Sequence, residues 1–236
     1  MNTPQQDIRT FLEYLFRPGD IFEVRAPAVR ASLTSNFTAT VSGYFQFEAL
    51  DAAVAAIAEL DESRRAPAIY SSLNPVDPRL LARSKNRLTF KARATTSDAD
   101  IIERRWILVD VDPVRPSGVS ASDAEVELAH ARFKLVRTWL SRLGWPEPLV
   151  SNSGNGLHGI FPAELTPDDD SLVRSLLATL AAMYSDDLVS VDRTTYNPAR
   201  VVKIPGTVAR KGDDFQGTGT IEARPHRRAR LLEVPK

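Results

Sequence analysis

The stretch Arg105-Trp-Ile-Leu-Val-Asp-Val-Asp112 decides how this chain is read. Trp106 to Val109 is a continuous apolar run, the pattern of a central strand covered on both faces. The strand breaks at Pro113. Residues two apart on a strand share a face, so Asp110 and Asp112 project together where the strand leaves the core. Two close carboxylates raise each other's pKa unless something neutralises them. A divalent cation does so, and oxygen ligands suit Mg²⁺ or Mn²⁺. Taken alone, the pair reads first as strand-end acids meeting solvent or capping a turn.

Working outward, Ser122-Asp-Ala-Glu125 reads as a capping box. The helix behind it carries Val126, Ala129, Phe133, Val136, Leu140 and Leu143 on one face and is stopped by Gly144 and Pro146. Leu149–Ser151 and Leu157–Phe161 form a predicted hairpin turned by Ser153-Gly-Asn-Gly156. The glycines permit a tight turn with amides aimed at an anion, Ser153 adds a hydroxyl, and His158 opens the next strand. A plain hairpin with a structural histidine is the competing description. Ser171–Tyr184 is amphipathic, and Leu188–Asp192 is a short strand. Asp192 supplies a third carboxylate, enough for a two-metal site. Asn197, Arg200, Lys203 and Lys211 follow it as cations and amides able to hold phosphates. Arg200–Ile204 and Thr218–Ala223 are expected to complete the β content. The basic segment Arg224-Pro-His-Arg-Arg228 reads equally as a backbone contact for nucleic acid or as a solvated tail.

Earlier in the chain, a short helix is expected over Ile8–Phe16. Strands are expected over Ile21–Arg25, Ala39–Phe47 and Ala68–Leu73. Glu48–Glu62 reads as a helix, and Pro78–Ser84 as a short basic one. Interleaved strands, helices and hairpins indicate an α+β protein. The suggestive motifs all lie beyond about residue 100. Residues 1–99 therefore read as a supporting N-terminal α/β lobe and 100–236 as the catalytic lobe of one unit.

The chain has 236 residues, enough for a sizeable core. Lys plus Arg and Asp plus Glu both number 30, so net charge does not mark a nucleic-acid binder. Charge is nevertheless segregated. Arg79–Arg93 holds six basic residues and no acid, and residues 193–230 hold nine basic residues against three acids. Such stripes can line a groove for phosphates. Taken alone, each stripe reads first as a solvated face. With no cysteine, disulfides and Cys-ligated zinc are excluded. No apolar run is long enough to span a bilayer and no signal-peptide core opens the chain, so a cytoplasmic protein without membrane contact is expected.

In this order and spacing, Asp110-Val-Asp112, Ser153-Gly-Asn-Gly-Leu-His158 and Val191-Asp192 resemble the archaeo-eukaryotic primase superfamily. The resemblance runs from Arg104 to Arg228 and is nearest to the primase-polymerase domains of phage and plasmid replication proteins. It implies an RRM-like antiparallel catalytic sheet with flanking helices. Asp110, Asp112 and Asp192 would bind two Mg²⁺ or Mn²⁺ ions. Ser153, Gly154, His158, Arg200 and Lys203 would bind a nucleoside triphosphate, with Lys211 beside them. The implied partners are single-stranded DNA template and primer, with a helicase as a separate or fused partner. The zinc module of some relatives is missing. Little chain follows Arg228 for a helical primer-initiation domain, so primer extension is favoured over initiation. An excised domain of a longer protein also fits. A non-catalytic nucleotide or single-stranded-DNA-binding module is the main alternative. A metal-dependent nuclease or a glycosyltransferase with an Asp-x-Asp metal site is less consistent with the turn and the later cations.

Overall fold

The computed structural model describes residues 2–235. In chain order its main elements are α1 (Pro4–Leu15), β1 (Ile21–Arg30), β2 (Thr38–Gln46), α2 (Leu50–Glu62), β3 (Tyr70–Ser72), β4 (Thr89–Phe90) and β5 (Arg104–Pro113). They are followed by α3 (Asp123–Arg142), β6 (Leu149–Asn152), β7 (Leu157–Leu165), α4 (Asp170–Tyr184), β8 (Val189–Val191) and β9 (Val201–Lys203). Three short strands end the chain: β10 (Val208–Ala209), β11 (Arg227–Arg228) and β12 (Arg230–Glu233). No helix among the described residues is long and apolar enough to cross a membrane.

Local sequence explains the helix starts. Thr3 and Gln6 form a capping box with Pro4 at the first helical position, and Ile8, Phe11, Leu12 and Leu15 bury one face of α1. Ser122 and Glu125 cap α3 reciprocally, as the sequence pattern implies, and Val126, Ala129, Phe133, Val136 and Leu140 are buried.

The strands form two five-stranded antiparallel sheets, ordered β4-β2-β1-β3-β9 and β12-β6-β7-β5-β8, and an antiparallel pair β10-β11. In the second, the chain order β5-α3-β6-β7-α4-β8 is a βαββαβ unit with spatial order β6-β7-β5-β8, the RRM-like or ferredoxin-like arrangement. The protein is therefore α+β with an RRM-like antiparallel sheet. The first sheet takes its edge strand β9 from beyond residue 200, so the expected boundary near residue 100 is crossed by a strand.

Alternation along β5 sets the layers. Ile107, Val109 and Val111 pack with Phe133, Val136, Leu140, Val173, Leu177 and Leu180 of α3 and α4. Leu108 faces the other way and joins Leu149 and Ile160 in one core with Phe22, Val24, Phe45 and Ile57 of the N-terminal elements. Asp110 and Asp112 share the face of Leu108. They stand where that face leaves the apolar seal and opens into a cleft between the sheets.

One expected strand is absent. Thr218–Ala223 is not a strand: Thr218 and Ile221 close a tight turn on each other after Gly217, which has φ +80°. The β-branched pattern there had no neighbouring strand to pair with. The last sheet strand is instead β12, whose partner β6 lies some eighty residues earlier.

Candidate active site

Asp110 on β5 is directly opposite His158 on β7, and His158 is opposite Ser151 on β6. Three adjacent strands thus carry one polar row, of which Asp110 and His158 border the cleft. His158 Nε2 lies 3.5 Å from Asp110 Oδ1. Asp112, two residues further along β5, has Arg115 3.9 Å away. Asp192, just after β8, donates its backbone N–H to Asp110 O at 2.9 Å, and its Oδ1 accepts from Thr194 N. Asp110, His158 and Asp192 border one pocket of about 380 Å³. An adjoining pocket of about 370 Å³ holds Asp110, Asp112, Arg115, Ser153, His158 and Lys211. The two share Pro27, Tyr70, Asp110, His158 and Lys203, so they form one cleft.

The electrostatics are uncompensated on the acidic wall. Asp110 Oδ1, Asp112 Oδ1 and His158 Nδ1 are buried with no hydrogen-bond partner. Burial and then the Asp110 charge push the Asp112 carboxyl up to about 6. Burial opposes protonation of His158, but the charge and contact of Asp110, with Asp112 behind it, hold its pKa above the ordinary imidazole value. Orphaned hard oxygens beside one another fit a divalent cation. Asp110 and Asp112 are the residues that could hold it, and Asp192 borders the same cleft. The three carboxylates do not close a cage: among the described residues, no group of three or more His, Asp or Glu stands ready to hold a metal ion.

The opposite wall is cationic. Lys203 on β9 is 3% exposed, and its Nζ donates to Val208 O at 2.9 Å. Burial depresses its pKa to about 7, against a partial opposing pull from Asp61. Arg200 donates to Thr194 O, its Nε has no partner, and it lines the pocket with Asp192. Lys211 is exposed at the rim.

The Ser153–Gly156 turn departs from expectation. Ser153 N bonds Gly156 O, Gly154 N bonds Asn152 Oδ1, and Asn155 N and Gly156 N both bond Ser153 Oγ. Every amide of the turn is satisfied internally, so none is aimed at an anion. Ser153 borders the cleft. Gly154, at φ +95°, packs against Ala209 and the Arg227 carbonyl instead. Asn155 reaches back to bond Ala121 N before α3.

Tyr70, Arg115 and Arg25 also line the cleft and were not singled out in the sequence. Tyr70 stood inside an apolar run, and Arg115 directly after the Asp-Pro break; both were visible as polar exceptions. The Arg224–Arg228 segment is neither a free tail nor a cleft residue set. Arg224 pairs with Glu125, Arg227 with Asp123 and Arg228 with Asp61. In the Arg79–Arg93 stripe, Arg79 is spent on Asp77 and Arg83 donates to Tyr44 Oη and Thr95 O. A further cavity of about 740 Å³ lies by α1 and the end of α2, and its buried acid Asp61 is already neutralised by Arg210 and Arg228.

No protein-family model matches the sequence, and no curated protein matches it. Among solved structures, the chain is similar to a protein described as primase RepB′, at 13% identity and a TM-score of 0.47. That alignment covers 98% of this chain and 56% of the other. A likeness at this identity and score assigns neither residues nor activity, and the site stands on its own geometry.

Proposed function

We propose that this protein is a metal-dependent, template-directed nucleotidyl transferase that adds nucleoside triphosphates to a 3′-hydroxyl, as a DNA primase-polymerase does. One observation carries the reading: two same-face carboxylates with unspent oxygens, with a buried histidine beside them, face a buried lysine across a cleft of a few hundred Å³. An acidic wall opposite a cationic wall is the complement of a polyphosphate bridged to divalent cations.

In this reading Asp110, Asp112 and Asp192 would hold the cations. Bound divalent cations would lower the pKa of the attacking 3′-hydroxyl and neutralise the triphosphate. Lys203, Arg200 and Lys211 take the phosphate oxygens and offset charge as pyrophosphate leaves. His158, beside Asp110, orients phosphate by a hydrogen bond rather than moving a proton. Leu108 and its apolar neighbours close the floor of the cleft against water. Single-stranded template and primer, and a helicase as partner or fused domain, complete the proposal.

The test is extension of a labelled primer on a single-stranded template with Mg²⁺ or Mn²⁺, comparing ribonucleotides and deoxyribonucleotides. Asp110→Ala/Asp112→Ala is the control. Template-dependent extension abolished in that variant supports the reading. Nucleotide or DNA binding without extension under either metal supports a non-catalytic binding module instead.

A further inference from the structure

The distal half of the β1–β2 hairpin carries no acid: between Glu23 and Glu48 the chain has neither Asp nor Glu. The segment it pairs with, through β4, has none between Asp77 and Asp98. Within that double gap stand Arg30, Lys85, Arg87, Lys91 and Arg93, all exposed and, among the described residues, without a carboxylate partner. An exposed aromatic sits among them. Phe37 is 51% exposed, meets Phe90 edge-to-face at 6.2 Å, and has Lys91 Nζ 4.8 Å from its ring centre. Lys91 holds φ +61° and Asn86 φ +50°, conformations that non-glycine residues adopt only when their surroundings impose them. A bulge interrupts β1 between Ala26 and Val29, and Arg25 and Pro27 on the same strand line the cleft.

We infer that this hairpin tip, centred on Phe37 and Lys91, is a docking surface for single-stranded nucleic acid. Unpaired cations track a phosphate backbone, and an open ring face takes an unstacked base. A duplex offers the phosphates but hides its base faces, so an exposed aromatic favours the single strand. An acidic protein would use the cations but has no need of the ring. Assigning the bound strand as the template rests on the polymerase reading above; the docking itself does not.

The experiment is fluorescence anisotropy of a labelled oligo-dT with the full chain, without nucleotide or divalent cation, at several salt concentrations. Phe37→Ala is expected to weaken binding about tenfold, Phe37→Trp to retain it, and duplex of equal length to be unaffected by either. Arg87→Ala/Lys91→Ala is expected to shallow the salt slope by about 0.7 for each phosphate no longer neutralised. Wild-type affinity in Phe37→Ala overturns the proposal. So does binding of polyglutamate that falls by the same factor, which marks an acidic-protein surface instead. The same titration in Asp110→Ala/Asp112→Ala separates the two readings. Phe37-dependent binding without any extension by the wild type leaves the surface standing and removes the polymerase. Extension with Phe37-independent binding does the reverse.

Discussion

A Cβ on Gly156 would lie 2.2 Å from Asp112 Oδ1 and 2.4 Å from Val111 O. The missing side chain in the hairpin turn is therefore what makes room for the second carboxylate of β5. The Val111 carbonyl is backbone and cannot give way, and the Asp112 carboxylate would be pushed from its place in the site. Gly156→Ala should cost about 1–3 kcal/mol in stability by overpacking. Primer extension should drop at least about 100-fold, since a misplacement of about 1 Å can cost that much. Urea unfolding with parallel extension assays checks both. Full activity in a folded Gly156→Ala protein would remove Asp112 from the chemistry.

Asp112 gives a pH signature. Its carboxyl is raised to about 6, above the unfolded value, so the folded chain holds this proton more tightly than the unfolded one. The stabilisation is full below about pH 4 and is lost as pH rises through about 6. Asp112→Asn should therefore melt higher than wild type at pH 7–8, while losing activity. With the side chain 38% exposed, solvent screening keeps the gain below about 1 kcal/mol, or about 2–4 °C.

Divalent metal should reverse that balance in the wild type. An ion that binds only the folded state stabilises it by RT ln(1 + [L]/Kd), about 1.4 kcal/mol at ten times Kd. Mg²⁺ or Mn²⁺ should raise the wild-type Tm at pH 7.5, chelator should restore it, and Asp110→Asn/Asp112→Asn should show no response. An equal rise in that variant would place the ion elsewhere.

Lys203 predicts the opposite slope on the cationic wall. Its pKa is depressed to about 7, so the folded chain binds this proton less tightly than the unfolded chain. Stability from this group is full above about pH 10.5, falls with pH, and is lost below about 7. Lys203→Met should accordingly stabilise the free protein at pH 6–7 by about 1–3 kcal/mol. An anion in the cleft needs the charged form, so triphosphate affinity should fall towards tenfold per unit as pH rises above 7. In Lys203→Met the affinity should be weak and nearly flat with pH. Isothermal titration across pH 6–9 reads both, with proton uptake on binding as an independent signal.

Much of this arrangement was legible because it is local. The run Trp106–Val109, the Ser122–Glu125 cap and the Leu149–Phe161 hairpin each specify their element within a few residues. Period-2 alternation put Asp110 and Asp112 on one face without any knowledge of the partner strands. What escaped is set by distant chain. β9 reads as part of the second half but pairs with β3, and β12 finds its edge on β6, because strand pairing depends on which edge is free in the folded sheet. The turn at Ser153–Gly156 looked like an anion nest, yet Ser153 Oγ and Asn152 Oδ1 consume its amides, a competition between side chain and ligand that composition does not resolve. Arg227 and Arg228 looked free because their acids lie more than a hundred residues earlier.

Asp61 ties these distant pieces to the site. Buried near the end of α2, it accepts from Val208 N at 2.9 Å, Arg210 Nη1 at 2.8 Å and Arg228 Nη1 at 2.9 Å. Burial pushes its pKa up, but the Val208 amide and the Arg210 guanidinium outweigh it and hold the carboxyl below its ordinary value. The strand it grips, β10, supplies the Val208 carbonyl that holds Lys203 and leads directly to Lys211 at the cleft rim. Asp61 is thus a positioning residue for both cations. Asp61→Ala removes the carboxylate shared by two half-buried guanidiniums, which keep only backbone carbonyl partners, and should cost about 1.5–3 kcal/mol. Asp61→Asn keeps the Val208 bond and should cost less. In the folded Asn variant, KM for nucleotide should rise several-fold with kcat nearly kept, because Lys203 and Lys211 lose their alignment rather than their charge. A purely structural Asp61 would lower the Tm of both variants and leave KM unchanged at temperatures where they are folded.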